Sequence, residues 1–279
     1  MNDPTPIAHI PLWSKRLART IELQSLIPHS KEILDFYRNL LPIQNQIAHT
    51  FSESSYSSNL FSEDRQSPCL QISHFDVEYL TRSFDYFLEK IQEIGTDIMI
   101  KSVTTLLNKP RSSRTKLLGT ALETNFSENV DLSLFLRGFF EPIYVTLAQA
   151  SDCQRNERLT NKCFFCGSKP ALSLIRDLPG YQGARHLVCS MCATEWRFPR
   201  LTCSNCNEND SKNLELHISD DLDHLRIEAC KSCGCYIKNL DLRQSAKSVP
   251  IVDEIASLEL DLWANRQGLT KPWPNLLQL

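Results

Sequence analysis

The chain has 279 residues, 30 Lys+Arg against 33 Asp+Glu, and 42% hydrophobic residues, enough for one large or two ordinary domains with a real core. Its longest unbroken apolar run is four residues (Cys163 to Cys166), which excludes a membrane-spanning helix, and Met1-Asn2-Asp3-Pro4-Thr5-Pro6 offers neither the basic nor the apolar stretch of a signal peptide. A net charge of −3 argues against a general nucleic-acid binder, and eight glycines are few for an all-β or Gly-loop nucleotide-binding design.

Residues 1–155 read as a helical domain. Trp13, Leu17 and Ile21, with Leu12, Leu23, Leu26 and Ile27, form a stripe that Pro28 stops, and Ser30 is placed to cap the next helix. Ile33, Phe36, Tyr37, Leu40 and Leu41 recur at helical spacing up to Pro42, where a kink or an end is expected. A polar loop is expected over 52–68. Val77, Leu80, Phe84, Phe87, Leu88 and Ile91 then make the clearest amphipathic helix, closed by Gly95. Shorter stripes follow at Val103 to Leu107, Leu117 to Leu122 and Leu132 to Leu147; their aromatic residues read as core. This half shows no phosphate loop, nucleophile elbow or carboxylate dyad. A single final helix is expected over 253–266, ahead of a tail containing Trp273.

The cysteines carry the chemistry. Cys69 and Cys153 stand alone, while the other nine of the eleven fall between Cys163 and Cys235. Without a secretion signal the compartment is expected to be cytosolic and reducing, so metal thiolates are a better reading than a disulfide framework. Cys69 and Cys153 read as small buried side chains.

Four Cys-x-x-Cys pairs occur: Cys163/Cys166, Cys189/Cys192, Cys203/Cys206 and Cys230/Cys233. Spacers of 22 and 23 residues within the halves, and 10 between them, describe a twofold repeat of pair, hairpin, pair. Each pair supplies half a tetrahedron of thiolates, and the hairpin returns the other half. Gly167, Gly234 and Asn207 follow their pairs and can adopt the left-handed turn that points amides at sulfur; Ala193 breaks that pattern. Strands are expected at Ala171 to Ile175 and His186 to Cys189 around a Pro179-Gly180 turn. In the second half, Leu214 to Ile218 and Leu225 to Ala229 flank a polar turn beginning Ser219-Asp220-Asp221. Each half reads as a zinc-ribbon or rubredoxin-like module, over 156–200 and 201–245, with 246–279 as a C-terminal helix and tail. The fold class is therefore α+β.

Iron and zinc both suit four thiolates, and spacing does not separate them. Cys235 is an extra thiol at the head of a strand, Tyr236-Ile237-Lys238, read as a buried side chain, with a competing ligand or redox-sensitive thiol as the sharper alternative. With eight cysteines available none of the seven histidines is needed as a ligand, and His186 reads as a strand residue. A thioredoxin-type dithiol would show one pair in a βαβ setting, not four pairs flanking hairpins.

The run Cys163-Phe-Phe-Cys-Gly-Ser-Lys-Pro170, the stretch Cys189-Ser-Met-Cys-Ala-Thr-Glu-Trp196, the pairs Cys203-Ser-Asn-Cys206 and Cys230-Lys-Ser-Cys233, and Asp253-Glu-Ile-Ala-Ser-Leu-Glu-Leu-Asp261 come in an order that resembles the formate dehydrogenase accessory protein family (FdhE-type). The resemblance is dense over 160–266 and general over 1–150. It implies a cytoplasmic, non-catalytic maturation factor, needed for active respiratory formate dehydrogenase but not retained in it. Such a factor has helical domains followed by two rubredoxin-like modules that bind iron. It implies contact with the molybdenum-containing catalytic subunit before twin-arginine export. Carried over, the metal ligands are Cys163, Cys166, Cys189 and Cys192 for one site and Cys203, Cys206, Cys230 and Cys233 for the other. Cys235 stands where the family usually has another residue.

Two other classes compete. A zinc-ribbon nucleic-acid binder would need a basic face, yet Cys163 to Cys235 holds 8 Lys+Arg and 9 Asp+Glu. An iron–thiolate electron-transfer protein fits the ligands but shows no redox-partner site.

Overall fold

The computed structural model describes residues 11–53, 60–62, 68–124, 126, 132–153, 160–219 and 222–277. Helices α1 (Pro11–Leu26), α2 (Lys31–Glu53), α3 (Val77–Ile94), α4 (Asp97–Leu107), α5 (Arg111–Glu123) and α6 (Ser133–Ala150) account for the N-terminal half. Their stripes meet in a core of Leu34, Tyr37, Phe84, Phe87, Phe139 and Phe140, all essentially without solvent contact. No helix among the described residues is long and apolar enough to cross a membrane.

Local expectations fare differently. Of the kink or end expected at Pro42, the end does not occur: helix α2 continues through it. Flanking Leu40, Leu41, Ile43 and Ile47 are all buried, and that packing outweighs one lost backbone hydrogen bond. Ser30 does not cap α2; it is buried and its hydroxyl donates to the Ala256 carbonyl at 2.6 Å. Gly95 does close α3, but with an ordinary φ of −78°. Glycine is needed there for space, since a Cβ would lie 2.8 Å from the Ile91 carbonyl oxygen. The expected polar loop at 52–68 and the turn at Asp220-Asp221 fall largely or wholly outside the described residues.

The second half is one sheet. Strands β1 (Pro170–Leu178), β2 (Tyr181–Cys189), β3 (Glu195–Arg197), β4 (Leu214–Ile218), β5 (Leu225–Cys230) and β6 (Cys235–Asp241) lie in the order β3-β2-β1-β6-β5-β4. Each half of the cysteine repeat contributes an antiparallel three-stranded meander. The meanders fuse where β1 and β6 pair in parallel, from Leu172 opposite Lys238 to Ile175 opposite Asp241. The sequence shows the two hairpins, but a parallel pairing more than 60 residues apart leaves no periodic signature.

One face of this sheet packs on α7 (Pro250–Ala256) and α8 (Leu258–Arg266), which replace the single expected helix. The break is at Ser257, at φ −93° and ψ 43°. Beside the break the fully buried Lys238 ammonium on β6 donates to the Glu254 and Ser257 carbonyls, at 2.5 and 3.3 Å. Lys238 also pairs with Glu254 at 3.0 Å and Asp261 at 2.6 Å. Lys271 from the C-terminal tail closes on the same two carboxylates. Arg19 on α1 grips Asp253 at 2.6 Å. The segment Asp253 to Asp261 therefore clamps helices, sheet and tail together.

Cys69 and Cys153, 84 positions apart in the sequence, are disulfide-bonded, with a Cα–Cα distance of 6.6 Å. This departs from the expectation of two isolated buried thiols. The end of α6 passes beside the segment around Cys69, a long-range approach that no local pattern encodes.

Candidate metal centres

Each Cys-x-x-Cys pair sits on a turn that hairpin geometry carries toward its counterpart. Cys163 and Cys166 precede β1, and Cys189 ends β2 with Cys192 just beyond it. Cys203 and Cys206 precede β4, while Cys230 ends β5 and Cys233 precedes β6. The turns share one construction. The Cys163 N–H donates to the Ser168 carbonyl and Gly167 N–H to the Cys163 carbonyl, both at 2.8 Å; Cys203 with Glu208 and Asn207 with Cys203 repeat this at 2.8 and 3.1 Å. Backbone amides of Met191 and Asn205 point at the Cys189 and Cys203 sulfurs, each at 3.4 Å.

All four residues after the second cysteine of a pair have positive φ: Gly167 78°, Ala193 56°, Asn207 63° and Gly234 67°. Ala193 thus adopts the turn its neighbours adopt, although its Cβ disfavours it. Replacing Ala193 with glycine should relieve about 1 kcal/mol of that strain, partly offset by a floppier unfolded chain. The expected result is a small rise in the thermal midpoint of the metal-loaded protein. A fall would show that packing of the methyl group outweighs backbone strain.

The structure brings together two sets of four sulfurs, Cys163/Cys166/Cys189/Cys192 and Cys203/Cys206/Cys230/Cys233, each within 4.8 Å of one another. In the first, Cys163–Cys192, Cys166–Cys189 and Cys166–Cys192 are 3.5, 3.4 and 3.6 Å apart. In the second, Cys203–Cys233 and Cys206–Cys230 are 3.8 and 3.7 Å apart. A tetrahedron with metal–sulfur bonds of about 2.3 Å has edges of about 3.8 Å, so both quartets can hold a metal ion. Four thiolates fill such a site and leave no coordination position for a reacting water.

The two centres differ in exposure. The first is buried throughout. Burial, then the neighbouring sulfurs, pushes the Cys189 and Cys192 thiols far above their ordinary range, so a thiolate quartet there calls for a bound cation. Burial, and then the nearby Cys166 and Cys192, push the Tyr144 hydroxyl on α6 well above its ordinary range. The amides of Cys69 and Leu70 donate to the Phe164 and Phe165 carbonyls inside the first turn, at 3.1 and 2.8 Å. Sequence spacing carries no sign of Tyr144 or of this covering segment. The second centre is more open, with Cys206 exposed and Cys233 half-buried.

Cys235 stands beside the second quartet and outside it. Its sulfur accepts from the Asn205 side-chain amide at 3.3 Å and lies 3.6 Å from the Cys233 carbonyl oxygen. Burial and the adjacent Cys233 push its thiol up to about 11. His186 lies on β2 opposite Leu174 and Arg197 and joins neither quartet. We expect Cys235→Ser to keep two metals per chain and Cys233→Ser to lose one. Metal analysis giving the reverse would move the ligand set onto Cys235.

Fold and site together define a class: a helical half joined to a single mixed sheet that carries two four-cysteine centres. Two family models match in sequence order, "FdhE, central domain" over residues 162–200 and "FdhE, C-terminal domain" over 201–278. A protein of Aquifex aeolicus described as "Protein FdhE homolog" is 35% identical over 265 residues, covering 94% of this chain and 93% of that one. One of Pectobacterium carotovorum with the same description is 26% identical over 287 residues, covering 96% and 90%. The crystal structure of the FdhE protein from Pseudomonas aeruginosa shares the fold, with a TM-score of 0.69 over 99% of this chain and 97% of that one at 23% identity. The chain belongs to the FdhE family.

Proposed function

We propose that this protein is a non-catalytic maturation factor for respiratory formate dehydrogenase, acting in the cytoplasm on the molybdenum-containing catalytic subunit before export. The observation that carries the reading is the pair of complete thiolate quartets on a sheet clamped to a helical body. Filled four-sulfur centres stabilise a surface and offer no open metal position for chemistry. The eight cysteines of the quartets serve as ligands to two ions; iron is the favoured metal, and zinc fits the same geometry. Ribbon modules this small depend on metal for much of their folding free energy, so metal content and client binding are expected to rise and fall together.

The test is anaerobic purification from a formate-respiring host, with metal analysis and identification of co-purifying proteins. Two metals per chain together with the catalytic subunit support the reading. A chain that carries two metals but never captures the subunit, in a host whose formate dehydrogenase is active without it, would overturn it.

A further inference from the structure

Cys69 and Cys153 stand outside both quartets, and the structure joins them to each other. Cys69 belongs to a short ribbon. The Ser62 N–H donates to the Cys69 carbonyl at 2.7 Å, the Gln71 N–H to the Leu60 carbonyl at 2.8 Å, and Phe61 pairs with Leu70 in an antiparallel bridge. Leu60, Cys69 and Leu70 are buried. Cys153 follows the end of α6, ten positions before Cys163, the leading ligand of the first centre.

This ribbon lies on the first cysteine turn. Besides the backbone bonds from Cys69 and Leu70 to the Phe164 and Phe165 carbonyls, the Phe61 ring is 6.3 Å from the Phe165 ring. Pro68 meets the residue that closes the turn, its Cγ 3.1 Å from where a Cβ would stand on Gly167. The second turn has no such cover. Ser204 and Asn205 take the places of Phe164 and Phe165, and among the described residues no backbone amide of another segment donates to their carbonyls. The Asn205 carbonyl accepts from the Asn161 side chain instead. Cys206 there is exposed, whereas its counterpart Cys166 is buried. The disulfide ties the covering ribbon to the chain that leads into the first turn and removes the freedom of the long loop between the two cysteines. Without that tie the ribbon is held by backbone bonds and ring contacts, which open locally at lower cost.

We propose that Cys69 and Cys153 are a redox latch on the first metal centre: joined, they hold the ribbon over the Cys163–Cys166 turn and slow exchange of that metal, and as two thiols they let the ribbon lift. The chemistry is exchange with a low-molecular-weight thiol and its disulfide. To open the latch, a small thiolate attacks the Cys153 sulfur, since Cys153 is half-buried and Cys69 only 1% exposed. The Cys69–Cys153 bond breaks, and Cys69 leaves as a thiolate that takes a proton. A second small thiol attacks the mixed disulfide at its small-molecule sulfur, which frees Cys153 and yields the small disulfide. Two electrons thus pass from two small thiols to the pair, and closing is the reverse, with the small disulfide as oxidant. Reducing conditions keep the first centre open to loading, and oxidation locks its metal in. The inference rests on the quartets binding metal and is independent of the client's identity.

For the experiment, full-length zinc-loaded protein is equilibrated with reduced or oxidised glutathione, and alkylation with peptide mapping reports the state of the pair. Zinc release to a chromogenic chelator and amide hydrogen exchange are followed in both states. With the pair oxidised, one of the two zincs should leave about tenfold more slowly than with it reduced, a part of what such a cross-link commonly contributes. The other zinc should leave at one rate in both. On oxidation, exchange should slow at 68–71 and 163–167 and stay unchanged at 203–207. Cys69→Ser/Cys153→Ser should release both zincs at the reduced rates in either buffer. Where that variant does not take up two zincs, Cys153→Ser, which keeps the buried Cys69, replaces it. Release and exchange at the first turn that ignore the state of the pair overturn the latch and leave the metal assignment standing. A pair that oxidised glutathione leaves as thiols while both zincs are bound also overturns it, as does a redox effect confined to the second turn. A wild type that takes up no zinc at the first quartet overturns the latch and the metal assignment together.

Discussion

Cys163→Ser is expected to empty the first centre and leave the second loaded, and Cys230→Ser to do the converse, so that metal analysis falls from two ions per chain to one in each. The quartets share no ligand and sit on separate turns of the sheet. Removing one of four thiolates forfeits a share of a structural-metal binding energy of about 10–16 kcal/mol, enough to lose about 3 kcal/mol or more of local stability. The consequences should differ in reach. The first centre is buried, near Tyr144 of α6, and its turn is bonded to the backbone of Cys69 and Leu70, so its loss should loosen the junction between helices and sheet. The second centre is open at Cys206, so its loss should fray mainly β4 and β5. Urea unfolding read by aromatic fluorescence and metal release should show the larger midpoint shift for Cys163→Ser. On the maturation role proposed above, both variants should lower formate dehydrogenase activity in the host while its polypeptide is still made. Two ions retained in either variant would sink the ligand assignment.

Lys238→Met should destabilise the metal-loaded protein by about 3–5 kcal/mol without altering its metal content, because it strips the counter-charge from a buried cluster. The lysine has no solvent exposure, and its ammonium binds Glu254 and Asp261 as well as two backbone carbonyls at the Ser257 break. Its removal leaves Glu254 and Asp261 sharing Lys271 alone among nearby ammonium groups. Pairing the change with Asp261→Leu removes one of the excess carboxylates, so the double variant should lose less than the two singles added together. Equal and additive losses would show that the cluster contributes by packing and not by charge balance.

How far each feature was legible in the sequence follows from the range of the forces behind it. Helices α3 and α6 were readable because apolar residues three and four apart must share a face, whatever else the chain does. The cysteine quartets were equally readable: a two-residue gap places two sulfurs on one turn, and a hairpin-length spacer returns the next pair beside them. Ala193 was misread as an exception because its turn is imposed by the neighbouring sulfurs and strands against its own preference. The passage of α2 through Pro42, and the break at Ser257, were decided by burial on neighbouring elements.

The role of Asp253 to Asp261 shows the same division. As sequence, the segment looked like one amphipathic helix and a mark of family resemblance. Its chemistry appears only when Arg19, Lys238 and Lys271, from three distant parts of the chain, converge on its carboxylates. The chain by itself determined its helices, its α+β class and the grouping of its thiols, because those depend on intervals of a few residues or on a closed hairpin. Tertiary structure alone decided that two hairpins become one sheet, that Cys69 meets Cys153, and that β4 is left, among the described residues, with an open edge. Each of these depends on which surfaces meet across long stretches of chain, where burial and charge pairing act and local periodicity carries no information.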